Sequence, residues 1–199
     1  SSIIKSTRKK VIVTQKYVGE STHAIEHNAP NLWKYLQKYK HIFDSRKSSI
    51  YKNKPDFSIF GVGDYSFAPY KVAISGMYKK SSFSLIHPVD GKPVMLDDTC
   101  YFLGFDNLTE AVYTFALLQS IPTQELLQAI SFDDDKRPYT KDVLMRIDLR
   151  KVVELLSLEE LVMVLESFGV VWKDIVNEES FIEYKNKLIN QTEECIRLL

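Results

Sequence analysis

Apolar positions recur along this chain with two different periods, and the change from one to the other organises it. Val11-Ile12-Val13-Thr14 reads as a short strand. After Gly19, the run Ala29-Pro30-Asn31-Leu32-Trp33-Lys34-Tyr35-Leu36 opens a helix, because proline is tolerated in a first turn whose N–H groups have no partner in any case. Leu32, Trp33, Leu36, Tyr39 and Phe43 keep the three-and-four spacing of one buried stripe. Trp33 is therefore read as core, and Lys34, Lys38 and Lys40 lie off the stripe. Short β-like runs follow at residues 57–62, 71–75, 83–86, 94–96 and 101–105, separated by Gly, Pro, Asp and Ser, with Pro88-Val89-Asp90-Gly91 as a turn. Strands spaced this closely, with no helix between them, predict an antiparallel or mixed sheet and not a doubly wound parallel one.

From Asn107 the period lengthens. Ala111, Phe115 and Leu118, then Leu126, Leu127 and Ile130, predict two helices divided at Ile121-Pro122. Ser157-Leu158-Glu159-Glu160 is a capping-box pattern ahead of Leu161, Val164, Leu165 and Phe168, and Gly169 is placed to stop that helix. A last amphipathic helix is expected over residues 180–198. The fold class is α+β: an antiparallel or mixed sheet in the central part, helices before it and a mostly helical C-terminal part. Residues 1–150 are read as one domain, and 151–199 as a helical extension packing on it.

Composition narrows the picture. With 199 residues, 45% of them hydrophobic, the chain can bury a substantial core. No run approaches the roughly 20 apolar residues that span a bilayer, and no charged-then-apolar leader is present, so a soluble cytoplasmic protein is expected, with no membrane partner. Cys100 and Cys195 are too few and too far apart for a disulfide framework or a zinc site. Formal charge is zero overall, yet residues 1–90 carry 15 Lys+Arg against 6 Asp+Glu while residues 91–199 carry 11 against 20. This asymmetry points to nucleic acid or an acidic membrane surface as partner, or else to a basic half that docks on its own acidic half.

The basic half concentrates its cations and aromatics between Arg46 and Lys71, the pattern of a surface that meets a polyanion. Other chemistry is weaker. Phe60-Gly61-Val62-Gly63 has the glycines of a nucleotide loop, but Pro69 interrupts the helix such a loop needs, leaving a backbone turn or bulge as the alternative. Asp133-Asp134-Asp135-Lys136 with Asp56 could serve a metal-dependent nuclease, although a solvated acidic loop accounts for the same residues. His23 and His27 share a helical face without the glutamate of a zinc protease, and neither cysteine sits in a nucleophile motif.

Several ordered segments carry a resemblance. They are Gly19-Glu20-Ser21-Thr22, the run from Ala29 to Leu36, Arg46-Lys47-Ser48-Ser49-Ile50-Tyr51, Phe57-Ser58-Ile59-Phe60-Gly61-Val62-Gly63, the run from Tyr65 to Ile74, Asp97-Asp98-Thr99-Cys100-Tyr101-Phe102 and Lys136-Arg137-Pro138-Tyr139-Thr140-Lys141. Together they resemble the C-terminal target-recognition region of type II adenine-specific DNA methyltransferases of restriction–modification systems. The resemblance runs from about Val11 to Leu149 and implies a part that reads double-stranded DNA. A separate N-terminal methyltransferase domain of the same protein would bind S-adenosylmethionine and methylate a flipped adenine. The family's D/N-P-P-Y/F motif is not in this chain, since no two of its seven prolines are adjacent. No cofactor is therefore expected in this chain, and no catalytic or metal site is assigned to it.

Within that reading Arg46, Lys47, Lys52, Lys54 and Lys71 are expected to contact phosphates or bases, with Ser48, Ser49 and Tyr51 as hydrogen-bonding neighbours and Arg46 as the reader of a guanine. Lys136, Arg137 and Lys141 form a second patch. Tyr70 is a further candidate, balanced between DNA contact and core, whereas Phe57, Ile59, Phe60, Tyr65 and Phe67 are read as a largely buried strand face. Asp97 and Asp98 are read as satisfying turn amides. Two other functions compete: a restriction endonuclease using Asp56, Asp134 and Lys136, and a protein-interaction or specificity subunit whose acidic helices hold a partner.

Overall fold

A computed structural model of the chain describes residues 10–132 and 136–190. The described residues fall into two compact units, 10–67 and 68–190. The basic segment before Lys10, the aspartates 133–135, Cys195 and the end of the expected last helix lie outside the described residues.

The smaller unit carries three short helices, α1 (Ala24–Asn28), α2 (Pro30–Lys38) and α3 (Lys40–Asp44). Pro30 takes the first position of α2 as the sequence predicts. The apolar stripe closes on Phe57, which is 1% exposed, with the rings of Trp33 and Phe43 meeting it edge-on at 5.4 and 5.2 Å. Leu36 is buried beside them, while Lys34 and Lys38 face water.

Two expected strands are absent from this unit. Residues 11–14 form no ladder, and Val11 and Ile12 are exposed. The segment instead uses side chains: Thr14 Oγ1 donates to the Phe57 carbonyl at 2.7 Å, and the Gln15 amide accepts from Ile59 N at 3.1 Å and donates to the Glu20 carbonyl at 2.6 Å. Thr22 Oγ1 donates to the Asp56 carbonyl at 2.7 Å. Residues 57–62 are not extended either, because Phe57 (φ 59°) and Gly61 (φ 62°) are left-handed. That conformation is costly for a bulky residue such as Phe57, and the rings around its side chain hold it there. Phe60 points outward, 53% exposed.

The larger unit contains the sheet. Strands β1 (Tyr70–Ser75), β2 (Ser84–Ile86) and β3 (Cys100–Phe105) are antiparallel in the order β2-β1-β3, with Val72 opposite both Leu85 and Leu103. The run at 94–96 forms no strand; Pro93, which has no N–H to donate, precedes it. The expected turn is present: Val89 and Lys92 bridge around Asp90 (φ 52°) and Gly91 (φ 71°), the two left-handed positions of a tight hairpin turn.

Helix α4 (Leu108–Gln119) is apolar all round and is buried from Ala111 to Gln119, so it forms the axis of this unit. Asn107 caps it through Thr109 N. The face of the sheet bearing Val72, Ile74 and Leu85 lies in the same core. Around α4 pack α5 (Ile121–Ile130), α6 (Lys141–Leu144), α7 (Leu149–Glu154), α8 (Leu158–Ser167) and α9 (Glu178–Asn190), whose Leu127, Leu144, Val153, Leu161, Leu165 and Leu188 complete the cluster. The helices beyond residue 150 thus share one core with the sheet. Polar groups buried with them are satisfied: Thr114 Oγ1 and the Tyr184 hydroxyl are 2.9 Å apart, and Tyr113 stacks on Tyr184 while its hydroxyl donates to the Asn177 carbonyl at 3.1 Å. The predicted capping box opens α8, with Ser157 and Glu160 exchanging bonds.

Leu161 is fully buried against α4, so Leu161→Ala is expected to lower unfolding stability by about 2–5 kcal/mol. Ser157→Ala should remove about 1 kcal/mol. Urea denaturation followed by near-ultraviolet circular dichroism measures both; a smaller effect for Leu161→Ala than for Ser157→Ala would contradict this packing.

Candidate nucleic-acid interface

A cleft of about 500 Å³ opens in the smaller unit between the end of α3 and the segment leading to Phe57. Arg46, Lys47, Ser48, Ser49, Tyr51, Lys52 and Lys54, all expected from the sequence, line it together. Ser48 ends the extended backbone after α3 and caps a single 3₁₀ turn over Ser49–Tyr51, its Oγ accepting from Ile50 N at 3.4 Å. Asn53, left-handed at φ 60°, then reverses the chain so that Lys52 and Lys54 stand on its two sides. Lys47, Ser48, Ser49, Lys52 and Lys54 are exposed.

Arg46 holds this arrangement together. Its Nε donates to the Phe43 carbonyl at 3.0 Å and its Nη1 to the Ser58 carbonyl at 2.6 Å, which ties the entry of the cleft loop to its exit. The guanidinium also lies 3.7 Å from the centre of the Tyr51 ring and 5.1 Å from that of Phe43. Two of its five N–H donors are thus committed to backbone carbonyls, and the Nη2 donors are not used in either bond. Arg46 therefore clamps the cleft loop.

Two carboxylates, Asp44 and Asp56, also line the cleft. Lys40 answers both, its Nζ lying 2.7 Å from Asp56 and 3.4 Å from Asp44. The bond to Asp56, reinforced by that to Asp44, holds the Lys40 ammonium above its ordinary pKa. Lys47, Lys52 and Lys54 therefore face the cleft opposite acids that already have a cation. Periodicity gave no hint of Lys40's role, nor of Thr14, Gln15 and Thr22, which hold the 56–59 backbone in place. The nearest signal was their polar identity in an otherwise apolar segment.

The remaining expected residues belong to the larger unit. Lys136, Arg137 and Lys141 are exposed, anchored by buried Pro138 and Tyr139 and by Thr140, which caps α6 through Val143 N. Tyr70 is half-buried at the start of β1, edge-on to His87 at 5.8 Å, and packs on the core. Lys71 is not presented to solvent: it is 1% exposed and its ammonium donates to the Ala68 carbonyl at 2.6 Å. Burial lowers its pKa from the ordinary 10.5 to about 8. Asp97 caps its own turn, accepting from Thr99 N and Oγ1, and the Thr99 hydroxyl bond holds its carboxyl below the usual range. Asp56 is paired with Lys40, Asp134 lies outside the described residues, and among the described residues no three His, Cys, Asp or Glu side chains converge to hold a metal. Nor, among them, is any helix long and apolar enough to cross a membrane.

The sequence is related to that of a type II methyltransferase. M.NspV of Nostoc sp. is 45% identical over 153 residues, which make up 77% of this chain and 32% of the relative. The chain thus spans about a third of that relative's length. No family model and no solved structure matches.

Lys71 supplies a pH test. Between about pH 8 and 10.5 the unfolded chain keeps the Lys71 proton while the folded chain has released it, so this residue makes stability rise with pH through that window. The shift corresponds to on the order of 3 kcal/mol. Lys71→Met should be more stable than the parent at neutral pH, and its advantage should shrink as pH rises to 10. An advantage independent of pH in denaturant titrations would contradict the burial of a charged amine.

Proposed function

We propose that this chain is the DNA target-recognition part of an S-adenosylmethionine-dependent, adenine-N6-specific methyltransferase of a type II restriction–modification system, acting in the cytoplasm. Methyl transfer and cofactor binding belong to an N-terminal domain of the full-length protein. The observation that carries this reading is the convergence of seven sequence-predicted residues on one cleft whose exposed cations are Lys47, Lys52 and Lys54. Relatedness to a methyltransferase three times as long supports it.

The division of labour follows from the chemistry of the groups. Lysines on a shaped rim neutralise phosphates and release counterions, which supplies affinity with little sequence content. Ser48 and Ser49 hydroxyls beside them can donate or accept, the property needed to read base edges or to fix a phosphate. The Gly61–Gly63 segment leads into a one-turn 3₁₀ helix at Asp64–Phe67 and not into the longer helix whose N-terminal amides a phosphate-binding loop uses. No step of methyl transfer is assigned to this chain.

Duplex binding is expected to weaken steeply with salt, and Lys52→Ala and Lys54→Ala should each lower the slope of log K against log salt by about one unit. Arg46→Ala should weaken binding to all sequences alike and destabilise the smaller unit, since the clamp and not a base contact is lost. Anisotropy titrations against matched and mismatched duplexes measure both. A flat salt response, or an Arg46→Ala protein that loses discrimination at a single base pair while keeping its fold, would contradict this assignment.

A further inference from the structure

A second cleft, about 670 Å³, lies in the larger unit and contains none of the residues discussed so far as contacts. The loop between β1 and β2 supplies Lys79, Lys80, Ser81 and Ser82, and α5 with its exit supplies Gln124, Gln128, Ser131 and Phe132. The rear of the cleft is locked. Ser81 Oγ bonds the Gln124 side-chain oxygen, Gln124 Nε2 donates to the Leu118 carbonyl at 2.8 Å, and Gln119 Nε2 donates to the Phe83 carbonyl at 3.2 Å. This network fixes the β1–β2 loop against the corner between α4 and α5. Gly76 permits the fit at the neighbouring end of β1, where a Cβ would lie 2.9 Å from the Tyr101 ring and 3.2 Å from the Tyr139 carbonyl.

The mouth has a different character. Ser82 N donates to the Lys80 carbonyl at 2.8 Å, a tight reversal at the tip of the loop, and both side chains are exposed. Gln128 is one helical turn beyond Gln124 on the same face of α5 and is also exposed. Phe132, 72% exposed, stands beyond it at the rim. No carboxylate is among the described residues that line the cleft.

We propose that this cleft takes one nucleotide of a DNA strand. The ammonium of Lys80 and the hydroxyl of Ser82 meet its phosphate, Gln128 presents an amide donor and acceptor to the base edge, and the Phe132 ring stacks on the base. The volume is that of a pocket for a ligand of nucleotide size. The exposed Lys80 ammonium can meet an anion, and an amide beside an exposed aromatic ring suits a planar group with hydrogen-bonding edges. That the ligand is part of a strand and not a free nucleotide rests on the DNA-recognition reading above.

The test uses the full chain labelled with ¹⁵N and titrated with deoxyadenosine monophosphate, deoxyadenosine and an unlabelled DNA oligonucleotide. The monophosphate should move the Gln128 side-chain amide and the backbone amides of Lys80 and Ser82. Lys80→Ala should weaken its binding about tenfold or more, as loss of a charged hydrogen bond requires, and deoxyadenosine should bind at least as poorly to the parent. The oligonucleotide should move the same signals. Shifts elsewhere or nowhere, or unchanged affinity in Lys80→Ala, would overturn the site. Monophosphate binding without the oligonucleotide shifts would overturn the strand assignment. Signals of Lys47, Lys52 and Lys54 in the same spectra report the first cleft separately, so failure of one reading is distinguishable from failure of the other.

Discussion

The Arg46 guanidinium is the contact on which the candidate interface depends. It lies against the Tyr51 ring and donates to the carbonyls of Phe43 and of Ser58, twelve residues further along the chain than Arg46 itself, closing a loop that has almost no regular structure of its own. A loop of this kind would otherwise retain the conformational freedom that makes ordered binding costly. Closing it with a planar cation, and bridging Asp44 and Asp56 through Lys40, fixes the backbone and leaves Lys47, Lys52 and Lys54 as the exposed cations of the cleft. Cations held on a preorganised rim lose less entropy on meeting an anion than cations on a mobile tail.

The larger unit was the more legible from sequence, for a physical reason. Its elements obey one period each: β1, β2 and β3 alternate or run apolar between turn residues, and α4 is apolar on every side because every side is buried. Local signals and tertiary packing agree there, so the cap at Ser157 and the turn at Asp90-Gly91 also fall where expected. In the smaller unit the α2 stripe obeys such a rule, but the segments around it do not. Residues 11–14 and 57–62 have the composition of strands, yet Thr14 and Gln15 bond across to the Phe57–Ile59 backbone through side chains, and Phe57 adopts a left-handed conformation that no propensity foretells.

The site was legible in composition and not in role. The interleaving of cations and aromatics drew attention to residues 46–54, seven of which line one cleft, because exposed lysines need no tertiary partner to be noticed in a sequence. Arg46 and Lys71 look the same as those lysines in a sequence. Only three-dimensional neighbours separate them: two backbone carbonyls and a ring for Arg46, and a buried strand position for Lys71, whose aliphatic stem suits the sheet while its amine finds the Ala68 carbonyl. Charge density along a chain therefore overcounts contacts wherever a cation is used to build the surface and not to present it.

The central claim is that the exposed face of the 46–54 segment meets a DNA duplex. Hydrogen–deuterium exchange with and without a duplex carrying the recognised sequence tests it most directly. The account predicts slowed exchange at residues 46–54 with the core helix α4 unchanged, whereas a duplex that binds the chain and leaves exchange at 46–54 untouched would contradict it.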